Sequence, residues 1–185
     1  MSPAAWSVLG TLRAVPALDR PDLLGDPVAR ALTALDPADA ALVGVAEIDP
    51  DLADTAAFCA AYSSPMDGSA NCVVVAGRRG EDTRYAACLV LASTRADVNG
   101  LVRRRLNARK ASFAPMDDAV ALTGMEHGGI TPIGLPAGWP LLVDAAVAIA
   151  PAVVIGSGVR ASKLVVSGAF LASVAGTDVV EGLGR

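Results

Sequence analysis

Asn71-Cys72-Val73-Val74-Val75-Ala76-Gly77-Arg78-Arg79-Gly80-Glu81-Asp82-Thr83-Arg84-Tyr85-Ala86-Ala87-Cys88-Leu89-Val90-Leu91-Ala92 is the stretch on which the fold turns. Residues 71–76 predict a strand, because three consecutive β-branched valines suit a pleated surface. Arg78-Arg79-Gly80-Glu81-Asp82 predicts a turn, with glycine placed where a hairpin needs a positive φ. Residues 84–92 then predict the returning strand. An antiparallel pair of this kind excludes an all-helical chain.

Working outward, Ala41-Leu42-Val43-Gly44-Val45-Ala46-Glu47-Ile48 reads as a strand. Asp51 or Asp54 caps a helix running to Tyr62, and residues 63–69 form a loop. Further back, Pro21 and Asp26 open a helix with Val28, Leu32 and Leu35 at helical spacing, and residues 4–15 suggest another that ends near Pro16. Downstream, Asp97 caps a helix to about Leu106. Residues 110–114 form a short strand, and Pro115 leads to a helix from Asp117 to Gly124. Residues 140–143, 152–156 and 163–166 read as strands, and a short helix and a strand near 178–180 close the chain. Strands mixed with scattered helices predict an α+β fold with a mixed, barrel-like sheet flanked by helices. Residues 1–40 read as a helical extension and residues 41–185 as the main domain.

Gly128-Gly129-Ile130-Thr131-Pro132-Ile133-Gly134-Leu135-Pro136 is too rich in glycine and proline for a helix or central strand. It predicts a stiff loop whose backbone groups line a cleft. A plain turn between two elements is the alternative reading.

Composition narrows the class. The 185 residues fit one domain with a sizeable core. Hydrophobic content of 53% against 4% aromatic predicts a core of Ala, Val and Leu, and 18% charged residues argue against disorder. No apolar run reaches the roughly 18 residues of a membrane span, since Asp144 and Pro151 interrupt the nearest candidate at 141–156. The N-terminus shows no basic stretch followed by an apolar one, so the expected location is cytoplasmic. Cys59, Cys72 and Cys88 form no C-x-x-C pair, and His127 is the single histidine. That set does not make a structural zinc site, and the cysteines read as small core residues.

A net charge of −4 does not advertise a nucleic-acid binder, but residues 1–70 hold 3 basic and 10 acidic side chains and residues 71–185 hold 12 and 9. Arg78, Arg79, Arg84, Arg103, Arg104, Arg105, Arg109 and Lys110 fall in one short span. They read either as solvated faces or, gathered on one face, as phosphate contacts. No glycine fingerprint for dinucleotides, no glycine–lysine phosphate loop and no metal-ligand cluster appears. Ser157 has no histidine or lysine at triad spacing.

The order of pieces resembles the YbaK family, which includes aminoacyl-tRNA deacylases similar to the editing domain of bacterial prolyl-tRNA synthetases. The resemblance is carried by Ala70-Asn71-Cys72-Val73-Val74-Val75, the strand at 85–91, Arg109-Lys110-Ala111-Ser112-Phe113-Ala114, residues 117–123, the 128–136 loop, residues 140–144 and Ile155-Gly156-Ser157-Gly158. It covers roughly residues 45–180. It implies a pocket that takes the aminoacylated 3′ end of a tRNA and hydrolyses the ester, with no cofactor and no metal. Aminoacyl-tRNA is then the partner, with room for an aminoacyl-tRNA synthetase as a second one and none for a membrane. The implied catalytic set is Asn71, Gly128, Gly129, Ile130, Thr131 and Pro132. The implied substrate-binding set is Gly134, Leu135, Asp144, Gly156, Ser157, Gly158 and Lys163. An activated ester needs orientation, N–H donors for the oxyanion and a placed water, and pocket size would set selectivity.

One departure stands out. Active members of that family carry a lysine where this chain has Asn71, and an amide supplies weaker donors than an ammonium. The alternative is therefore a weak or inactive relative that binds tRNA 3′ ends or an aminoacyl-adenylate-like small molecule. A protein-interaction domain is a third reading. Lys110 and Lys163 are the chain's two lysines, and Lys163 follows the Gly156-Ser157-Gly158 turn toward the implied pocket mouth. His127, just before the loop, reads either as a surface residue or as a general base. Asp144 reads as the cap of a helix beginning at Ala145, at a strand end near the pocket.

Overall fold

The computed structural model describes residues 9–185. In chain order the strands are β1 (Val15–Pro16), β2 (Gly44–Glu47), β3 (Ala70–Arg79), β4 (Asp82–Leu91), β5 (Lys110–Phe113), β6 (Leu141–Asp144), β7 (Val153–Gly156), β8 (Ser162–Val166) and β9 (Thr177–Val180). The helices are α1 (Asp26–Thr33), α2 (Pro37–Ala40), α3 (Thr55–Ala61), α4 (Arg103–Arg105), α5 (Met116–Thr123), α6 (Ala145–Ala148) and α7 (Gly168–Ser173).

The strands form two sheets, one ordered β1-β2-β8-β7 and the other β5-β3-β4-β6-β9. The first is antiparallel throughout. The second is mixed, with β4, β6 and β9 parallel to one another. A single parallel bridge, Ser69 to Val154, links the sheets. The α+β class and mixed sheet are as expected; the system is open rather than a closed barrel.

The decisive hairpin is β3–β4, ten residues on each side with Arg79 opposite Asp82. Gly80 takes φ +64° as the first residue of the two-residue loop, as a primed hairpin turn requires. Both faces of β4 are buried. Ala87 and Leu89 enter the principal core with Val28, Leu32, Leu141, Val143, Ile155, Leu164 and Leu171. Ala86, Cys88 and Val90 enter another with Val98, Val102, Leu106 and Leu142. A third cluster joins Phe58 and Cys59 of α3 to Ala46, Val154 and Val165.

The N-terminal stretch differs from expectation. Residues 9–15 are not helical, and Val15–Pro16 pairs with Val45 and Gly44 as an edge strand; residues 4–8 of the expected helix lie outside the described residues. Proline 16 cannot continue a helix, and an edge strand tolerates it. The helix capped by Asp97 begins as a wide turn over Val98–Val102. The Asp97 carboxylate accepts the N–H groups of Gly100 and Leu101, and the Val102 N–H returns to the Asp97 carbonyl, five residues back.

Candidate active site

A cavity of about 400 Å3 opens where β3, β7 and β8 meet the start of α3 and the segment 127–130. Its most unusual lining group is Lys163, only 7% exposed. Lys163 lies on β8 between Ala46 of β2 and Gly156 of β7. Alternation along a strand puts it on the same face as Val165, which packs in the Phe58 cluster. The ammonium accordingly sits 5.6 Å from the Phe58 ring centroid, a cation–π distance. It donates to the carbonyls of Ala53 at 3.0 Å and Gly128 at 3.4 Å. An ammonium has three N–H donors, so one remains for a guest. Burial, and secondarily the Arg160 charge, lower its pKa from the ordinary 10.5, while Asp54 and Cys59 oppose the shift.

Asn71 lines the same cavity from the start of β3. Its Oδ1 accepts a 2.7 Å hydrogen bond from the Thr55 hydroxyl, which leaves the Nδ2 donors for a guest. Thr55 is held by the cap of α3, where the Asp54 carboxylate accepts from the N–H groups of Ala56 and Ala57. Cys72 also borders the cavity, but burial pushes its thiol pKa well up. A thiol kept protonated is a poor nucleophile.

The glycine-rich loop divides. Gly128 and Ile130 line the cavity, as does His127. Gly128 presents its carbonyl there, to Lys163. Gly129 turns to the backbone of the 156–159 turn, accepting the Gly158 N–H at 2.8 Å. A side chain at Gly156 would run into the Gly129 and Ile130 carbonyls, so glycine at 156 lets the loop lie against β7. Arg160 fastens this junction, donating to the carbonyls of His127 at 3.3 Å and Pro50 at 2.8 Å.

Other residues from the expected set lie elsewhere. Thr131 is fully buried and its hydroxyl has no hydrogen-bond partner among the described residues. Pro132, Gly134 and Leu135 face a different surface hollow beside Trp139 and Gly176. The Ser157 hydroxyl lies 2.7 Å from that of Ser162, which bonds to the Leu23 carbonyl, a relay pointing into the protein. Gly158 packs on Gly25. Asp144 caps α6 through Ala146 and accepts from the Gly184 N–H at 2.6 Å; it does not border the cavity.

Thr55, Phe58, Phe113 and Met116 border it without having been singled out as site residues, and so does Arg160, which the sequence offers, like Lys163, as a phosphate contact near the pocket mouth. The only signal for the first four was proximity to Asp54 and to the 110–114 strand. Among the described residues no group of His, Cys, Asp and Glu is arranged to hold a metal, and no helix is long and apolar enough to cross a membrane.

Comparison with known proteins meets this geometry at the level of family and fold. No curated protein matches the chain. A solved hypothetical protein matches with TM-score 0.73 and 18% identity over 86% of this chain and 100% of its own. A candidate trans-editing enzyme for prolyl-tRNA synthetase matches with TM-score 0.71 and 20% identity over 88% and 99%. A candidate signal transduction protein from Marinobacter aquaeolei shares the fold at TM-score 0.54 and 16% identity, over 83% of this chain and 30% of its own. Likenesses at such identities carry the fold. The sequence family described as the aminoacyl-tRNA editing domain matches residues 49–173, a span that contains Asp54, Asn71, His127, Gly156 and Lys163. The resemblance to YbaK-like proteins is thereby borne out, and the chain belongs to the aminoacyl-tRNA editing domain family.

Proposed function

We propose that the protein hydrolyses the ester of a mischarged aminoacyl-tRNA in trans, with the aminoacylated 3′ end seated in the cavity. One observation carries this reading: a buried ammonium, Lys163, lines the same cavity as the asparagine that replaces the family lysine. The positive charge missing from β3 is supplied from β8.

In the reaction, water adds to the ester carbonyl carbon and the carbonyl electrons move to oxygen. The Lys163 ammonium and the Asn71 amide donate to that oxyanion, in a wall where such donors act more strongly than in water. His127 takes the proton of the attacking water and returns it to the ribose oxygen as the C–O bond breaks. The products are a free amino acid and tRNA with an intact 3′ terminus. Thr55 positions Asn71 by fixing which end of the amide faces the guest.

The test is release of amino acid from alanyl-, seryl-, cysteinyl- and prolyl-tRNA by the wild-type protein and by Lys163→Met and Asn71→Ala. Selective release by the wild type is expected, with kcat lower by about 100-fold or more in Lys163→Met and less affected in Asn71→Ala. A second reading, binding without hydrolysis, draws on the two carbonyls that already engage Lys163. Tight tRNA binding with no release from any substrate would select it.

A further inference from the structure

Beside the cavity lies a second, more open groove of about 660 Å3. Its walls carry Arg78 of β3, Arg103 of α4, Arg109 and Lys110 at the head of β5, and no carboxylate. None of these four cations takes part in the ion pairs seen among the described residues, which join Arg20 to Asp22 and Glu47, Arg105 to Asp178, and Arg185 to Asp97. Asp117 and Asp118 open α5 outside the groove's lining.

Two features set this groove apart from a solvated face. Arg78 and Lys110 sit directly opposite each other in the β3–β5 ladder, and the Arg109 N–H bonds to the Arg78 carbonyl at 2.8 Å. Like charges directly across a ladder disfavour the pairing, so folding alone does not select this arrangement; a polyanion across the groove would relieve it. The second feature is continuity. Phe113 lines both the groove and the cavity, and it is 57% exposed. An exposed aromatic between a cationic track and a pocket is the combination that holds a single nucleic-acid strand, by stacking a base and neutralising its backbone.

We propose that this groove binds the sugar–phosphate backbone of an RNA whose 3′ end enters the cavity, with Phe113 stacking a base where the strand turns inward. The proposal deepens the deacylase reading and rests on it for the direction of the strand. The contacts are to phosphates, so they fix register and carry little sequence preference.

The test uses an uncharged RNA hairpin with a single-stranded 3′ end, titrated into the full-length protein by fluorescence anisotropy at several salt concentrations. The wild type should lose affinity linearly in log[salt]. The double variant Arg78→Ala/Arg109→Ala should flatten that slope by about 2, and Phe113→Ala should weaken binding about ten-fold. Arg30→Ala, an exposed cation on α1, is the control and should leave the slope unchanged. Hydrolysis of 3′-O-aminoacyl-adenosine, which is too short to reach the groove, should be equal in the wild type and the double variant. An unchanged salt slope in the double variant, with its thermal melt intact, overturns the groove. No hydrolysis of any ester by the wild type, with the slope still flattened in the double variant, removes the deacylase reading and leaves the groove standing.

Discussion

At Lys163 the same burial that strengthens the ammonium's grip on an anion weakens its hold on its own proton. Its pKa lies below the ordinary 10.5, so between the folded value and 10.5 the unfolded chain binds the proton more tightly than the folded one. Stability from this group is therefore lowest below the folded pKa and recovers as pH rises toward 10.5. Under the proposed mechanism activity runs the opposite way, because only the charged form would serve the oxyanion. Once hydroxide-driven hydrolysis is subtracted, kcat should fall on the alkaline side at a pH below 10.5. Lys163→Arg should keep its charge there and lose that fall. An alkaline limb that persists unchanged in Lys163→Arg would assign the titration to another group. Thr131 poses the converse case, a buried hydroxyl without a partner among the described residues. Thr131→Val removes the unsatisfied group at nearly constant shape and should stabilise the protein by about 1 kcal/mol in urea denaturation, with deacylation intact. Lost activity in a stable Thr131→Val would return this hydroxyl to the chemistry.

The elements that build the site are joined by close backbone approach. Segment 127–130 reaches the cavity because Gly156 of β7 has no side chain to hold it away, and Arg160 straps the junction to Pro50. Gly156→Ala should push the loop outward, cost about 1–3 kcal/mol and raise KM with a smaller change in kcat, measured by steady-state deacylation. A KM equal to wild type would mean that the loop does not shape the pocket. These joints also show what was legible in the sequence. The hairpin could be read from local signals, three valines, a glycine turn and a returning apolar run, and β5, α5, β7 and β8 came from equally local punctuation. The glycine-rich loop was recognisable as a loop, but nothing within it says that Gly128 faces a lysine while Pro132 and Leu135 face the opposite side. That division depends on β7 and β8, which follow it in the chain. Asp144 was legible as the cap of the helix beginning at Ala145, which its bond to the Ala146 N–H bears out, but its second partner, the Gly184 N–H, lies forty residues away and draws the carboxylate from the cavity. Thr55 and Phe58 acquire their roles only when α3 settles over β8, a pairing that no local pattern encodes.

Across the whole molecule, the question is whether residues 1–40 are an addition or a part of the fold. Val28 and Leu32 are fully buried in the principal core, in one cluster with Leu141, Val143, Ile155 and Leu164. Backbone bonds tie the same stretch to the rest of the fold: the Gly25 N–H donates to the Ser157 carbonyl in the site's own turn and the Ala17 N–H to the Val43 carbonyl just before β2, both at 2.9 Å. The Ser162 hydroxyl, one residue from Lys163, bonds to the Leu23 carbonyl. An independent helical extension would tolerate a cavity in its packing without disturbing the remainder, whereas a shared core transmits it. Leu32→Ala should therefore cost about 2–5 kcal/mol in one cooperative transition seen alike by tryptophan fluorescence and far-ultraviolet circular dichroism. It should also lower deacylation near the new melting temperature, because β7 and β8, which carry Gly156 and Lys163, are lost with the core. Two separate transitions, with activity following only the later one, would make residues 1–40 a separate unit and leave 41–185 as the domain that folds and works alone.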